Sequence, residues 1–244
     1  MAEAPENIRI QYRNPQGEDG RAVLEGMNEH HSELWDWGIS RMPKGFDGTV
    51  MDVGCGGGGF LKRLSERYPY ASFIGVDISG KALEVTSEVN RDLLDDGSLE
   101  LIGASVDDLP LADGSVDLAT AVETYFFWPD LPRALRELER VLSPGGMLVV
   151  LSEMQLRDDN AEEMAIASGL YGTRLVTDGE MLSLLSDAGF EASCESVPEK
   201  GWVVYRAVKG ICRCPQQSRQ DGCPPLRLWG FRVKRGPELS SLFP

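Results

Sequence analysis

The residues of this chain best suited to chemistry are four acids, a run of glycines and a pair of adjacent histidines. Asp52 sits inside the apolar run Val50, Met51 and Val53, and the backbone is then almost pure glycine through Gly59. Phe60, Leu61, Leu64 and Tyr68 follow at helical spacing, so the unit reads strand, glycine loop, helix. A loop without Cβ atoms lets a ligand lie against bare backbone, and the helix behind it offers unpaired N–H groups to a carboxylate or phosphate. Gly54, Gly56 and Gly59 satisfy Gly-x-Gly-x-x-Gly, and Asp77 ends the next apolar run, where a carboxylate suits the hydroxyls of a ribose. The pattern serves dinucleotides as well as other adenosine-bearing ligands, so the motif alone leaves the ligand open.

The groups able to move a proton lie elsewhere in the chain. His30 and His31 are its only histidines, and His31 falls in a helical stretch preceding the first strand. Glu123 follows the fourth apolar run and Glu153 the fifth, at the carboxyl ends where open α/β sheets bind ligands. Tyr125, Phe126, Phe127 and Trp128 either wall an apolar pocket or pack beneath the arm. Cys55 reads as a small wall residue, since no base stands near it in sequence.

The elements that position these groups alternate. Strands are expected at Val50–Val53, Ala71–Val76, Ser98–Ile102, Val116–Val122, Met147–Leu151, Phe190–Val197 and Trp202–Ile211, with amphipathic helices after the first, second and fourth. Ser79 is an expected N-cap, Thr177-Asp-Gly-Glu180 an expected capping box, and residues 158–174 an irregular lid with a short helix. Pro198-Glu-Lys-Gly201 is too short for a parallel crossover and forces the last two strands antiparallel. The reading is an α/β doubly wound, Rossmann-like sheet of seven strands, mainly parallel with a terminal antiparallel hairpin, preceded by a helical arm. Residues 1–20 read as a loosely ordered N-terminus, 21–215 as the folded domain with the arm at 21–42, and 216–244 as an appended tail.

Composition narrows the partners. A net charge of −15, from 39 acids against 24 basic residues, argues against a polyanionic substrate such as nucleic acid. No apolar run approaches the roughly 20 residues of a membrane span, and the acidic start lacks the apolar core of a secretory signal, so the expected location is the cytoplasm. The five cysteines are then expected to be reduced. Cys212, Cys214 and Cys223 match no common zinc spacing and lack a fourth ligand, so no metal is expected there.

Five ordered stretches together carry a family resemblance: Asp52-x-Gly54-x-Gly56, Gly75-Val-Asp-Ile-Ser79, Leu109-Pro-Leu-Ala-Asp-Gly-Ser-Val-Asp-Leu118, Arg140-Val-Leu-Ser-Pro-Gly-Gly146 and the terminal hairpin. Over roughly residues 50–208 the chain closely resembles the class I S-adenosylmethionine-dependent methyltransferases. A narrower likeness, carried by Met27-Asn-Glu-His-His-Ser32, Trp37-Gly38 and Glu123-Thr-Tyr-Phe-Phe-Trp-Pro-Asp130, is to a bacterial small-molecule subgroup of methyltransferase type 11 character. The resemblance implies S-adenosyl-L-methionine as cofactor. Gly54, Cys55 and Gly56 would face its methionyl part with backbone, Asp52 would hold its ammonium directly or through water, Asp77 would accept both ribose hydroxyls, and Ile78 would pack on the adenine. Relatives often carry an Asp before the Leu-Pro segment to accept the adenine amino group. Here that place falls on Ser105, so either Ser105 and the Val106 N–H read the adenine or Asp107 swings in; the first is preferred.

Transfer from a sulfonium needs alignment and exclusion of water, and needs a base only when the acceptor must lose a proton. The candidates for that role are His31 and Glu123, with Glu153 beside them. The expected activity is methylation of a small O, N or S acceptor; the oligomeric state is left open. A non-catalytic S-adenosylmethionine-binding module with a partner-binding arm or tail is the alternative, and an NAD-dependent oxidoreductase a third.

Overall fold

A computed structural model describes residues 6–211. In chain order the elements are α1 (Glu6–Arg9), a 3-10 turn, α2 (Gly17–His30), α3 (Ser32–Ile39), β1 (Thr49–Val53), α4 (Gly59–Arg67), β2 (Ser72–Asp77), α5 (Gly80–Val89), α6 (Arg91–Asp95), β3 (Leu99–Gly103) and β4 (Val116–Val122). They continue with a 3-10 turn at Tyr125–Phe127, α7 (Leu131–Val141), β5 (Leu142–Ser152), α8 (Ala161–Tyr171), α9 (Asp178–Asp187), β6 (Phe190–Val197) and β7 (Trp202–Lys209). The strands form one sheet in the order β3-β2-β1-β4-β5-β7-β6, parallel except where β7 runs antiparallel between β5 and β6. The order reverses between β1 and β4. That is the switch point at whose carboxyl edge such sheets leave a crevice.

Alternation along each strand divides the core. Val50, Leu118 and Val149 face a layer completed by Leu34, Trp35, Phe60 and Leu64 from α3 and α4. Met51, Ala119, Leu148 and Val150 face the opposite layer, filled by Leu135, Leu138, Met181 and Leu185 from α7 and α9. A sheet covered on both faces needs strands apolar on both sides, which is why β1 and β4 lack polar alternation. The caps fall where local chemistry puts them. Ser79 accepts from the Ala82 N–H at 3.2 Å. Asp130 accepts from Arg133 at 2.9 Å, and Thr177 with Glu180 forms a reciprocal capping box.

Three expectations change. The first concerns residues 1–20, of which 6–20 are built into the fold rather than loose: Ser79 Oγ donates to the Pro15 carbonyl at 2.6 Å, and Gly20 sits where a Cβ would meet that carbonyl carbon at 2.7 Å. Second, the helical arm begins at Gly17 and consists of two helices, because His31 (φ −90°, ψ 7°) breaks the turn between α2 and α3. Third, β5 begins at Leu142, taking the Ser143–Gly146 turn into the strand with an irregularity opposite β4. The cysteines at 212, 214 and 223 and the 216–244 tail lie outside the described residues. Among the described residues, no helix is long and apolar enough to cross a membrane.

Candidate active site

The glycine loop is held by hydrogen bonds from every side. The Gly54 and Cys55 N–H groups both donate to the Val76 carbonyl, at 2.7 and 3.1 Å, which pins the exit of β1 to the end of β2. Gly54 takes φ +72°, and a Cβ there would lie 2.3 Å from Thr124 Oγ1, so only glycine fits. The outer turn is clamped by side chains. Asn28 donates to the Gly57 carbonyl at 2.9 Å and accepts from the Gly59 N–H at 3.2 Å, Thr86 donates to the Gly56 carbonyl at 2.8 Å, and Asn90 donates to that of Gly58 at 3.0 Å.

Two carboxylates flank this loop. Asp77 accepts from the Gly56 N–H at 3.0 Å and the Ser79 N–H at 2.8 Å. Burial raises its pKa, and these backbone donors oppose the rise. Asp52 is 2% exposed, and Thr120 Oγ1 donates to it at 2.7 Å. Burial is the larger influence, and with Asp77 nearby its carboxyl is pushed up to about 7. Such a group waits for a cation. Cys55, buried beside the same two acids, has its thiol pushed well up, so it stays a neutral wall residue.

The second cluster stands where the arm meets the ends of β4 and β5. His31 Nε2 lies 3.4 Å from Glu153 Oε1, and His30 Nε2 lies 3.6 Å from the same oxygen. The Glu153 N–H donates to the Glu123 carboxylate. Glu123 is the one non-glycine residue among those described with positive φ (+53°), a conformation costing about 1–3 kcal/mol that gathers at functional sites. Burial first, then the Glu153 charge, push its carboxyl up to about 7 against the pull of His31. Burial draws the His31 ring down, but the Glu153 hydrogen bond and the Glu123 and Glu153 fields outweigh it and leave its pKa raised. For Glu153 burial is likewise outweighed, by His31 and His30, and its pKa is lowered.

A single cavity joins the two clusters. Asp52, Gly54, Cys55, Gly56, Asp77, Ile78, Ser105 and Val106 line it together with His31 and Glu123. Ile78 is 57% exposed, an apolar side chain left open on the cavity wall. Ser105 donates to Asp107 Oδ1, so the two alternatives for the adenine edge form one hydrogen-bonded unit. The aromatic run divides: Tyr125 and Phe126 are core, whereas Phe127 and Trp128 also line the cavity. Sequence reasoning missed Tyr12, Arg13 and Pro15, which close the cavity from the N-terminal segment, and the clamp by Asn28. No local signal marks these residues, because their partners lie tens of positions away.

Glycine loop, paired acids and switch-point cavity define a nucleoside-binding protein of the class I methyltransferase fold. The family description "Methyltransferase domain" matches residues 51–150. The chain is 27% identical over 208 residues to the sarcosine/dimethylglycine N-methyltransferase of Halorhodospira halochloris, covering 78% of this chain and 74% of that one. It is 31% identical over 174 residues to the malonyl-[acyl-carrier protein] O-methyltransferase of a Methylovorus species, covering 68% and 57%. Against several other curated relatives it spans about half their length. Among solved structures, the geranyl diphosphate C-methyltransferase of Streptomyces coelicolor matches with TM-score 0.67 at 15% identity, covering 85% of this chain and 99% of that one. A Haloferax volcanii chain in complex with the Trm112 methyltransferase activator matches at 0.70 and 20%, covering 85% and 100%. These matches support a class I S-adenosylmethionine-dependent methyltransferase domain, with the family match over residues 51–150.

Proposed function

We propose that this chain transfers the methyl group of S-adenosylmethionine to a small-molecule O, N or S acceptor. The observation that carries this reading is the continuity of one cavity from Asp77 and Asp52 to His31 and Glu123. Asp77 would take the ribose hydroxyls, Asp52 the ammonium, and the bare backbone from Gly54 to Gly56 the methionyl carboxylate. The sulfonium would then face the Glu123–His31 end, where Trp35, Phe127 and Trp128 supply apolar wall. Alignment of acceptor and methyl can supply roughly 7–11 kcal/mol of such a barrier. Glu123 would receive the acceptor's proton, and the His31–Glu153 pair would orient it. The chain's net charge of −15 and the wall's aromatic character favour a small molecule over RNA.

Incubation of the full chain with methyl-labelled cofactor and a metabolite extract tests this reading. Label is expected in a small product. Label found only in RNA or protein overturns the substrate class, and tight cofactor binding without any turnover favours a binding module instead.

A further inference from the structure

Consecutive residues on an unbroken helix point about 100° apart, so neighbouring histidines do not normally meet one partner. Here the break at His31 turns the second ring back. The two imidazoles stand 5.1 Å apart at 76°, and both direct Nε2 at Glu153 Oε1. One donor atom from each of His30, His31 and Glu153 lies within 4.8 Å of the other two. A zinc ion held tetrahedrally at about 2.0–2.1 Å from its ligands spaces them about 3.4 Å apart. The two histidine-to-carboxylate separations are 3.4 and 3.6 Å.

The surroundings add to this. His30 is 71% exposed, and an ion pair so open to water contributes little on its own, so stability does not account for its aim at Glu153. Two imidazoles with one carboxylate suit zinc, iron or manganese rather than calcium or magnesium, which prefer all-oxygen sets. Three protein ligands leave a position open, as catalytic sites do.

We propose that His30, His31 and Glu153 form a site for one divalent ion of the zinc class beside the cofactor cavity, which His31 lines, with its open position taking the acceptor's heteroatom. The role in catalysis rests on the methyltransferase reading; the binding of the ion does not. Coordination makes the acceptor's X–H more acidic, and its proton passes to Glu123. The freed lone pair on X forms the bond to the methyl carbon. The carbon–sulfur bond breaks with its electrons returning to sulfur, which leaves methylated X and neutral S-adenosylhomocysteine.

The test uses the full chain, stripped with a chelator and titrated with Zn(II) by calorimetry and with Co(II) by visible spectroscopy. One ion per chain is expected, with a cobalt spectrum of nitrogen and oxygen ligands. Affinity should fall at least about 100-fold in both His30→Ala and Glu153→Gln. His30→Ala removes an exposed side chain and keeps the test independent of folding. Three results each overturn the site: no stoichiometric zinc, binding unchanged in the two variants, or a thiolate-to-cobalt band showing that cysteines hold the metal. S-adenosylhomocysteine binding on the same wild-type sample reports separately on the cofactor cavity. Its absence would refute the methyltransferase reading and leave the zinc result to be judged alone.

Discussion

Asn28, in the last turn of α2, grips both sides of the glycine loop: its amide donates to the Gly57 carbonyl at 2.9 Å and its oxygen accepts from the Gly59 N–H at 3.2 Å. The arm is thereby part of the cofactor site and not an appendage to it. Asn28→Ala leaves two loop groups without partners, worth about 1–3 kcal/mol together. The expected outcome is an S-adenosylhomocysteine affinity lowered about tenfold or more, read by calorimetry, with a lower melting temperature. Unchanged affinity would detach the arm from the site.

Asp77 has a second duty besides the ribose, because it already holds the Gly56 and Ser79 N–H groups. Asp77→Ala therefore loses two backbone anchors as well as the ligand contacts. Binding is expected to weaken at least about 100-fold, while Asp77→Asn, which keeps an acceptor oxygen, retains part of it. Equal affinities for wild type and Asp77→Ala would contradict the assignment.

Asp52 predicts a pH dependence with a definite sign. Its carboxyl is raised to about 7 in the folded chain, above its unfolded value, by burial first and by the nearby Asp77 charge, with Thr120 opposing. Asp77, raised in the same sense, and Cys55 are the titratable neighbours. The folded state thus holds the extra proton between about pH 4 and 7, so the stability from this group is full below about pH 4 and is lost as pH rises through 7. A bound ammonium favours the ionised form. Affinity for S-adenosylhomocysteine is expected to rise about tenfold from pH 6 to pH 8, with a proton released to the buffer. Calorimetry in two buffers of different ionisation heat measures both effects, and Asp52→Asn should flatten the profile.

Glu123 combines a strained backbone with a carboxylate that accepts from the Glu153 N–H. Glu123→Gln keeps the shape and removes the proton acceptor. Label transfer to the small product should fall about 100- to 10,000-fold, with S-adenosylhomocysteine affinity nearly unchanged. A proportional loss of both would mean that Glu123 shapes the cavity rather than receiving the proton.

Gly54→Ala tests the packing behind the loop. A methyl group would have to occupy the place of Thr124 Oγ1 at an unfavourable φ of +72°. A loss of about 1–3 kcal/mol in urea unfolding is expected, together with weakened cofactor binding.

The sequence by itself determined the sheet and the cofactor end of the site. Apolar runs locate β1 and β4 and the 3.6 period locates α7, the capping residues bound α5, α7 and α9, and the short Pro198–Gly201 link makes β6 and β7 antiparallel. These are local rules, each satisfied within about a dozen residues, and Asp52 and Asp77 follow because each stands at the end of a strand whose apolar run is visible. Only the tertiary structure decided how the N-terminal segment closes the cavity and how His30, His31, Glu123 and Glu153 meet. The two histidines lie more than a hundred positions before Glu153, and no signal around His31 itself marks the helix break that brings both rings to its carboxylate.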